Sequence, residues 1–554
     1  MRLPPGGPIC PNACKPDMMT AHGPSPGFPS EAAAMSLARN VATVGTATLL
    51  SRLLGFFRDV GIAAVLGAGV FSDAFFAALQ IPNLFRRLLA EGALNAAFVP
   101  MWQRARGESG EPGARRFGED VLGTMVMALG ATALLCIVFA PAVVQALMPG
   151  FRVGGERFTH AVLYVRLSTA YVVIAGVVAV AASRLNAEGR VAAPAFGLII
   201  FNGVMLVAVG AVLLSGLVAS PRAGAILSAA VVIAGLCQAV LVGAALLRVR
   251  EPPLVPRIRW SAGMRRFYAR MLPGAIAAGV PQLKLIAGAM VASSSASSVS
   301  WLYYANRLYE LPLGLVSVSV AAVVVPLVAA SVSAGRREAI AAAQSRALEL
   351  AVGLALPAAV ALALLADPIA GALFERGTFG PRDTAAVAAA LAALAVGLPG
   401  HALERVFGAI SFAHEDTRTP MAVALGGLAV AVLGSVALFP IHSHVGVAAA
   451  IAMSGWVGAG ALGIVLASRG WLAFDGGVRR RLPRLAAAAG VMGLIVAAID
   501  AWLATRLGIT GSALGRAAAL AILVAIGLAA YLALLAALDV LKPREIMTAI
   551  RARL

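Results

Sequence analysis

The chain has 554 residues, of which 60% are hydrophobic and only 12% are charged, and its mean hydropathy is +0.89. A soluble domain of this composition would precipitate, so the composition predicts a membrane protein. The net charge of +19 does not indicate nucleic-acid binding, because the arginines fall mainly in short loops between apolar runs and form no basic stripe interleaved with aromatic residues.

The N-terminal residues 1–35 contain the segments PPGGP and GPSPGFP and have no continuous apolar core. They are therefore neither a signal peptide nor a membrane span, and we expect a disordered cytoplasmic tail. The four cysteines have no spacing that favours a disulfide or a metal site, and we interpret them as buried structural thiols. They are Cys10, Cys14, Cys136 and Cys237.

The remainder of the chain predicts fourteen transmembrane helices in an all-α polytopic fold. Their expected starts are near residues 38, 71, 118, 159, 193, 224, 271, 298, 339, 384, 419, 445, 483 and 514. An even number places both termini on one side of the membrane. Because the loops after even-numbered helices hold most of the arginines, the positive-inside rule predicts that both termini are cytoplasmic.

An internal repeat divides the chain into two six-helix lobes. An offset of 226 residues relates Pro100 to Pro326, Pro194 to Pro420 and Arg58 to Lys284. Because each copy has an even number of spans, the two copies are related by an axis along the bilayer normal, and a substrate is expected between them. The predicted segments are an N-lobe at 36–250, an amphipathic cytoplasmic linker at 251–270, a C-lobe at 271–470, two appended helices at 483–541 and a cytoplasmic tail at 542–554.

Charged residues lie in the middle of several apolar runs, where no placement of a roughly 20-residue span leaves them all in water. The runs are SRLLGFFRD, PNLFRRLLAEGA and SWLYYANRLYELPLG. An arginine at the bilayer centre costs about 2.5–3.5 kcal/mol on insertion scales, so these side chains must face a polar cavity or an anionic ligand. This pattern favours a transporter.

The candidate cavity charges contain more cations than anions. The cations are Arg52, Arg58, Arg86, Arg87, Lys284 and Arg307, and the anions are Asp59, Asp73, Glu91 and Glu310. Because guanidinium groups bind phosphate in a bidentate fork, an arginine-rich cavity favours a phosphate or diphosphate headgroup over an organic cation. Arg307 and Glu310 are one helical turn apart and are expected to pair.

Structural explanations compete with this functional interpretation. The arginines could be neutralised by Asp59, Glu91 and Glu310, and Asp73 could equally be a helix N-cap. A weaker cluster of His401, Glu404 and Arg405 could be an ion pair that only steadies the helix bundle.

The charged runs, with the segment between them and HEDTRTP, resemble the MurJ (MviN) family over residues 36 to about 541. The resemblance implies a lipid II flippase of peptidoglycan synthesis in the bacterial cytoplasmic (inner) membrane. It further implies two lobes around a V-shaped cavity, and a hydrophobic groove for the polyprenyl tail formed by the last two helices. By motif, the arginines that are critical in the family correspond to Arg52, Arg58, Arg86 and Arg307.

The remaining charges, namely Asp59, Asp73, Arg87, Glu91, Lys284, Glu310 and Arg405, are expected to support those arginines. One position departs from the family, because Asn306 stands where relatives commonly carry an acid. Lipid II and the phospholipid bilayer are the expected partners, with cell-wall polymerases as further candidates. Other readings are a flippase for another polyprenyl-diphosphate oligosaccharide, a drug or cation antiporter, a membrane scaffold and a lipid-processing enzyme.

The sequence contains no recognisable nucleotide-binding motif that would indicate ATP as the energy source. The chain has no GxxxxGK[ST] sequence, and its three lysines are Lys15, Lys284 and Lys542. No cofactor and no enzymatic activity are expected. Coupling to a monovalent ion or to the membrane potential remains open, since the potential is worth about 2.3 kcal/mol per charge per 100 mV.

Overall fold

The computed structural model describes residues 31–90, 93–248, 253–333, 335–506 and 512–540, and every regular element in these ranges is helical. The helices are α1 (Glu31–Leu66), α2 (Val70–Ala90), α3 (Ala93–Val138), α4 (Ala140–Leu147), α5 (Glu156–Ser168), α6 (Tyr171–Ala187), α7 (Ala192–Leu214), α8 (Pro221–Arg248), α9 (Ala262–Ala292), α10 (Ser298–Ser319), α11 (Val325–Ser333), α12 (Arg337–Leu364), α13 (Ala366–Phe374), α14 (Pro381–Val396), α15 (Leu398–Ala413), α16 (Arg418–Ser468), α17 (Val478–Arg506) and α18 (Ala513–Ala537). The all-α prediction is confirmed.

Two of these helices are too long to cross a membrane once. At a rise of about 1.5 Å per residue, the 51 residues of α16 would extend far beyond a hydrocarbon core of about 30 Å. The chain breaks at Ser443, whose φ of 51° and ψ of −140° are not helical. Helix α3 has a similar break at Ser109 and Gly110. The break at Ser443 lies close to residue 445, where the sequence predicts a new helix.

Length and composition identify fewer than fourteen membrane spans in the described part of the chain. Nine helical segments in the described part of the chain are long and apolar enough to cross a membrane, or ten if the bent helix α9 is included. Helices α1 and α10 are not among them, and these are the helices that carry Arg52, Arg58, Asp59, Arg307 and Glu310. Fourteen spans therefore remains a prediction.

Helix α9 differs from the predicted linker. The sequence analysis placed an amphipathic linker at 251–270 and a membrane helix from 271, whereas α9 runs continuously from Ala262. The side chain of Ser261 starts it by accepting a hydrogen bond from the Met264 backbone N–H at 3.2 Å. The helix then bends by 51° between Ile276 and Gly279, with Pro273 and Pro281 on either side of the bend. Prolines remove helical hydrogen bonds, which explains why the bend falls there.

The two halves of the chain interlock at one end through close backbone contacts. Gly67, at the end of α1, has φ of +62° and lies so near Thr378 that a Cβ would be 2.8 Å from the Thr378 carbonyl oxygen. Thr378 in turn donates its backbone N–H to the Ala64 carbonyl at 3.2 Å. Gly150, also in the N-terminal half, donates its backbone N–H to Ser293 Oγ at 2.9 Å, beside the end of α9.

These contacts are reciprocal. The loop before α14 covers the end of α1, and the loop before α5 covers the end of α9. The predicted offset of about 226 residues relates Gly67 to Ser293 and Gly150 to Gly377, the neighbour of Thr378. Helices α17 and α18 pack outside this arrangement, α17 against α12 and α18 against α17 and α13. The exact domain boundaries remain predictions.

Candidate functional site

A cavity of about 1300 Å³ lies between the two halves, on the side opposite the interlocked ends. Most of its wall is formed by residues of α1, α2, α7, α9, α10, α15 and α16. Thr417, in the turn between α15 and α16, and Arg418, the first residue of α16, also line it. Among the described residues, eight cationic side chains and two carboxylates line it: Arg52, Arg58, Arg86, Arg87, Lys284, Arg307, Arg405 and Arg418, with Glu310 and Glu404.

On α1, Arg58 is fixed by two partners. Its Nε and Nη2 donate to Asp59 Oδ1 at 3.0 and 2.7 Å, and its Nη1 donates to Asn202 Oδ1 at 3.0 Å. Asn202, on α7, donates its own side-chain amide to the Ser51 carbonyl at 2.9 Å. Asp59 is fully buried, while Arg58 retains 13% exposure toward the cavity. The guanidinium is thus held at the cavity wall in a fixed orientation.

Arg307 on α10 connects α1 to α2 through a chain of alternating charges. Its Nε donates to Asp59, and its Nη1 donates to Glu310 at 3.1 Å. Glu310 also accepts a hydrogen bond of 2.8 Å from Arg87 on α2. The Arg307–Glu310 pair expected from the one-turn spacing is confirmed. Because two carboxylates connect three guanidinium groups, this chain keeps an excess of positive charge.

Arg52 and Arg86 extend the cationic wall. Arg52 is exposed and lies against Gly314 of α10, where a Cβ would be 2.3 Å from its Nη1. Arg86, on α2, is half-buried and lines the same cavity. The four arginines of the predicted headgroup site, on three different helices, therefore face one space. Mutual neutralisation accounts for only part of the charge, because Asp59 and Glu310 are each shared by two arginines.

The supporting residues separate into three groups. Arg87, Lys284, Glu310 and Arg405 line the cavity, and Asp59 lies buried behind its wall. Asp73 is not part of the lining, and Glu91 lies outside the described residues. Asn306, at the position that departs from the family, also lines the cavity.

Asp73 contacts residues at the interlocked end and does not line the cavity. Its carboxylate accepts backbone hydrogen bonds from Ser297 at 2.9 Å and Ser300 at 3.0 Å, and it lies 3.6 Å from Arg157. It is therefore an N-terminal cap, as one interpretation of the sequence proposed, but the helix that it caps is α10 and not its own helix α2. A negative charge at this helix end satisfies backbone donors that would otherwise be orphaned.

Asn202 was missed by the sequence analysis. The signal available was a single amide in the apolar run FGLIIFNGVMLV, since a polar side chain inside a membrane helix usually faces a partner. Its partners Arg58 and Ser51 are 144 and 151 residues away in the chain, so the sequence could not identify them.

The all-helical membrane fold and the central charged cavity define the chain as a polytopic membrane transporter. The chain belongs to the MurJ family, because the family model described as "Lipid II flippase MurJ" matches residues 62–518. It is 38% identical over 506 residues to "Probable lipid II flippase MurJ" of Rhizobium meliloti (strain 1021), covering 90% of this chain and 93% of that relative. It is 31% identical over 453 residues to "Lipid II flippase MurJ" of Burkholderia cenocepacia, covering 79% and 87%.

Solved structures share the fold. The structure titled "Lipid II flippase MurJ, inward closed conformation" matches with a TM-score of 0.74 and 22% identity, over 89% of this chain and 98% of that one. An inward-facing multidrug resistance MATE family transporter of the MOP superfamily matches with a TM-score of 0.59 and 15% identity, over 78% and 95%. At these identities the likeness concerns the fold alone.

Proposed function

We propose that this protein is a lipid II flippase, which moves the undecaprenyl-diphosphate-linked peptidoglycan precursor from the inner to the outer leaflet by alternating access. The observation that carries the proposal is the excess of guanidinium groups on the wall of one central cavity. Lipid II carries a diphosphate between its polyprenyl chain and its sugars, and this is the group that such a wall would attract.

Arg52, Arg58, Arg86 and Arg307 bind the diphosphate in this proposal. Asp59 and Glu310 hold the guanidinium planes of Arg58 and Arg307 in place before the substrate arrives, which lowers the entropic cost of binding. The arriving diphosphate supplies negative charge that the two shared carboxylates do not provide. Binding would then draw α1, α2 and α10 together around the headgroup.

Alternating access requires the cavity side to close and the interlocked side to open. The contacts that would break are those of Gly67 with Thr378, Gly150 with Ser293, and Asp73 with the start of α10. The hydrogen bonds of Asp73 with Ser297 and Ser300, and those of Arg157 with the Ser293 and Ser295 carbonyls, would be lost as well, so the contacts made around a bound diphosphate must compensate for opening that end.

The arginine distribution supports an orientation with both termini in the cytoplasm of a bacterium and the cavity open to the cytoplasmic leaflet. Helices α17 and α18 would hold the polyprenyl chain, and cell-wall polymerases that consume lipid II at the outer leaflet are the expected partners. A net-positive empty carrier would be reset by the membrane potential or by ion movement.

The test is translocation of labelled lipid II by the full chain reconstituted in vesicles. Arg58→Gln and Arg307→Gln should reduce flipping at least tenfold, while the matched variant Arg481→Gln, whose guanidinium pairs with Glu349 away from the cavity, should retain wild-type flipping. Unchanged flipping in both cavity variants would refute the proposal. Complementation of a bacterium depleted of its own lipid II flippase separates lipid II from other polyprenyl-diphosphate oligosaccharides.

A further inference from the structure

A second group of ionisable side chains lies in the same cavity, on the wall formed by α9, α15 and α16. It consists of Lys284, His401 and Glu404, with Tyr309 of α10 at its edge, and we call it the C-lobe cluster. Lys284 donates to Ser454, and His401 contacts Gly397 and Tyr309, so the cluster has hydrogen-bond partners of its own besides those within the Arg58–Asp59–Arg307–Glu310–Arg87 chain.

The side chain of Lys284 lies between the two halves of α16, which meet at the break at Ser443. Its Nζ donates to Ser454 Oγ at 3.2 Å in the second half of α16, and a Cβ on Gly427, in the first half, would lie 3.0 Å from the same atom. Only 7% of Lys284 is exposed. A buried ammonium needs a negative counter-charge, and Glu404 is the carboxylate that acts on it electrostatically.

Two glycines of α16 leave the space that the Glu404 carboxyl group and the His401 imidazole occupy. A Cβ on Gly458 would be 2.9 Å from the Glu404 carboxyl carbon, and a Cβ on Gly455 would be 2.4 Å from His401 Nδ1. His401 Nδ1 also lies 3.0 Å from the Gly397 carbonyl and 2.9 Å from the Tyr309 hydroxyl. The helix surface thus holds a half-buried Glu404 at the cavity wall, where water can reach it.

Two cations act on Glu404 and attract its carboxylate, Lys284 from α9 and Arg405 on its own helix, whereas burial opposes its charge. Tyr309 from α10 and His401 on its own helix are the other titratable groups of the cluster, while α16 contributes Ser454 and the glycines. If Glu404 became neutral, the Lys284 ammonium would lose its counter-charge while still enclosed by α16. The enclosed arrangement would then be unfavourable, and a state that hydrates Lys284 would be preferred.

Lys284 is also well placed to transmit that change. It lies just beyond the 51° bend of α9, in the segment Gly279–Ala292 whose far end Gly150 covers. Withdrawing the Lys284 side chain from α16 requires this segment to move relative to α16. The same movement would disturb the contact between Gly150 and Ser293 at the interlocked end.

We infer that Glu404, whose charge acts on Lys284, is a proton-binding site that couples proton entry to the transport cycle. This inference rests on the proposed function. When the cavity faces outward, a Glu404 carboxylate oxygen takes one proton from the external water and forms an O–H bond. When the cavity faces the cytoplasm, that bond breaks, the proton passes to cavity water and the carboxylate again offsets the charge of Lys284. One proton moves inward for each lipid moved outward.

The test uses the full chain in vesicles with the membrane potential clamped, and it measures the ratio of labelled lipid II between the leaflets. With the outside one pH unit more acidic, one-proton coupling allows this ratio to shift by up to about tenfold in wild type. Glu404→Gln should abolish the shift, Lys284→Met should reduce it, and Glu349→Gln, a carboxylate paired with Arg481 outside the cavity, should preserve it. A wild-type protein that flips but ignores the gradient overturns the inference and leaves the flippase assignment intact.

A second measurement does not depend on flipping. Infrared difference spectra of the purified full chain, titrated from about pH 8 to about pH 5, report carboxyl protonation directly. We expect a protonated-carboxyl band that disappears in Glu404→Gln and persists in Glu349→Gln. If wild type does not flip lipid II, the flippase proposal fails and this band still decides the proton site. A band unaffected by Glu404→Gln overturns the site.

Discussion

Arg307 on α10 donates a hydrogen bond to Asp59 on α1, a residue 248 positions earlier in the chain. Because Asp59 also binds Arg58, one buried carboxylate fixes two guanidinium groups from two different helices. The contact joins α1 to α10 at the site where the headgroup is proposed to bind. Its loss should therefore affect both stability and transport.

The first prediction concerns Asp59→Asn. Removing one member of a buried ion pair leaves uncompensated charge and typically destabilises a protein by about 3–5 kcal/mol. We expect a lower thermal unfolding midpoint in detergent and loss of flipping. The double variant Asp59→Asn/Arg307→Gln removes one charge of each sign and should recover part of the stability, which a double-mutant cycle measures. Additive losses would show that the two side chains do not interact.

The second prediction concerns pyrophosphate binding. A ligand that binds only the folded protein stabilises it by about 2.7 kcal/mol at a concentration one hundred times its dissociation constant. Inorganic pyrophosphate should therefore raise the unfolding midpoint of wild type. The Arg58→Gln variant should need an about tenfold higher pyrophosphate concentration for the same rise. Arg481→Gln should respond like wild type. A pyrophosphate effect that is equal in all three proteins would place binding outside the cavity.

The third prediction concerns the cap that Asp73 forms on α10. Asp73→Ala removes the acceptor for Ser297 and Ser300, and loss of a helix cap costs about 1 kcal/mol. Because the cap lies between the two interlocked halves, we expect a shift toward the outward-open state, detected by spin-label distances across that end. Asp475→Ala removes a comparable cap, at the start of α17, and should leave those distances unchanged. Identical distances in both variants would contradict the gating role.

The fourth prediction concerns acid stability. Hydrogen bonds from Thr419, and the Arg469 guanidinium, hold the pKa of Asp416 well below its usual range. A carboxyl whose pKa falls on folding stabilises the protein above its unfolded pKa of about 3.9, and this contribution disappears as the pH falls through the folded-state pKa. Asp416→Asn should therefore unfold at a lower temperature than wild type above about pH 4, and the difference should vanish in stronger acid. Parallel profiles at every pH would exclude the effect.

The fifth prediction tests the fourteen-span topology. In a variant with all four cysteines replaced by serine, Ser443→Cys should react with a membrane-impermeant thiol reagent from outside the cell. Ser109→Cys should react only after the membrane is permeabilised. Both positions are breaks in long helices, and the predicted topology places them on opposite sides of the membrane. Labelling of both positions from the same side would require a different number of spans.

The sequence by itself determined the local and compositional features. Apolar runs of membrane length predicted helices whose starts at residues 298, 419 and 514 agree with α10, α16 and α18 to within one residue. A one-turn spacing predicted the pair of Arg307 with Glu310. These features depend on hydropathy and helical periodicity, which act between neighbours in the chain.

Tertiary structure alone decided which distant groups meet. Arg87 binds Glu310, Asn202 binds Arg58, and Asp73 caps α10, each across more than 140 residues. Charge counting showed an excess of cations but could not assign carboxylates to arginines, because several pairings satisfy the same electrostatics. The packing of α1, α2, α7 and α10 selects one of them, since buried charges and helix ends are satisfied only by the groups that the fold brings within hydrogen-bonding distance.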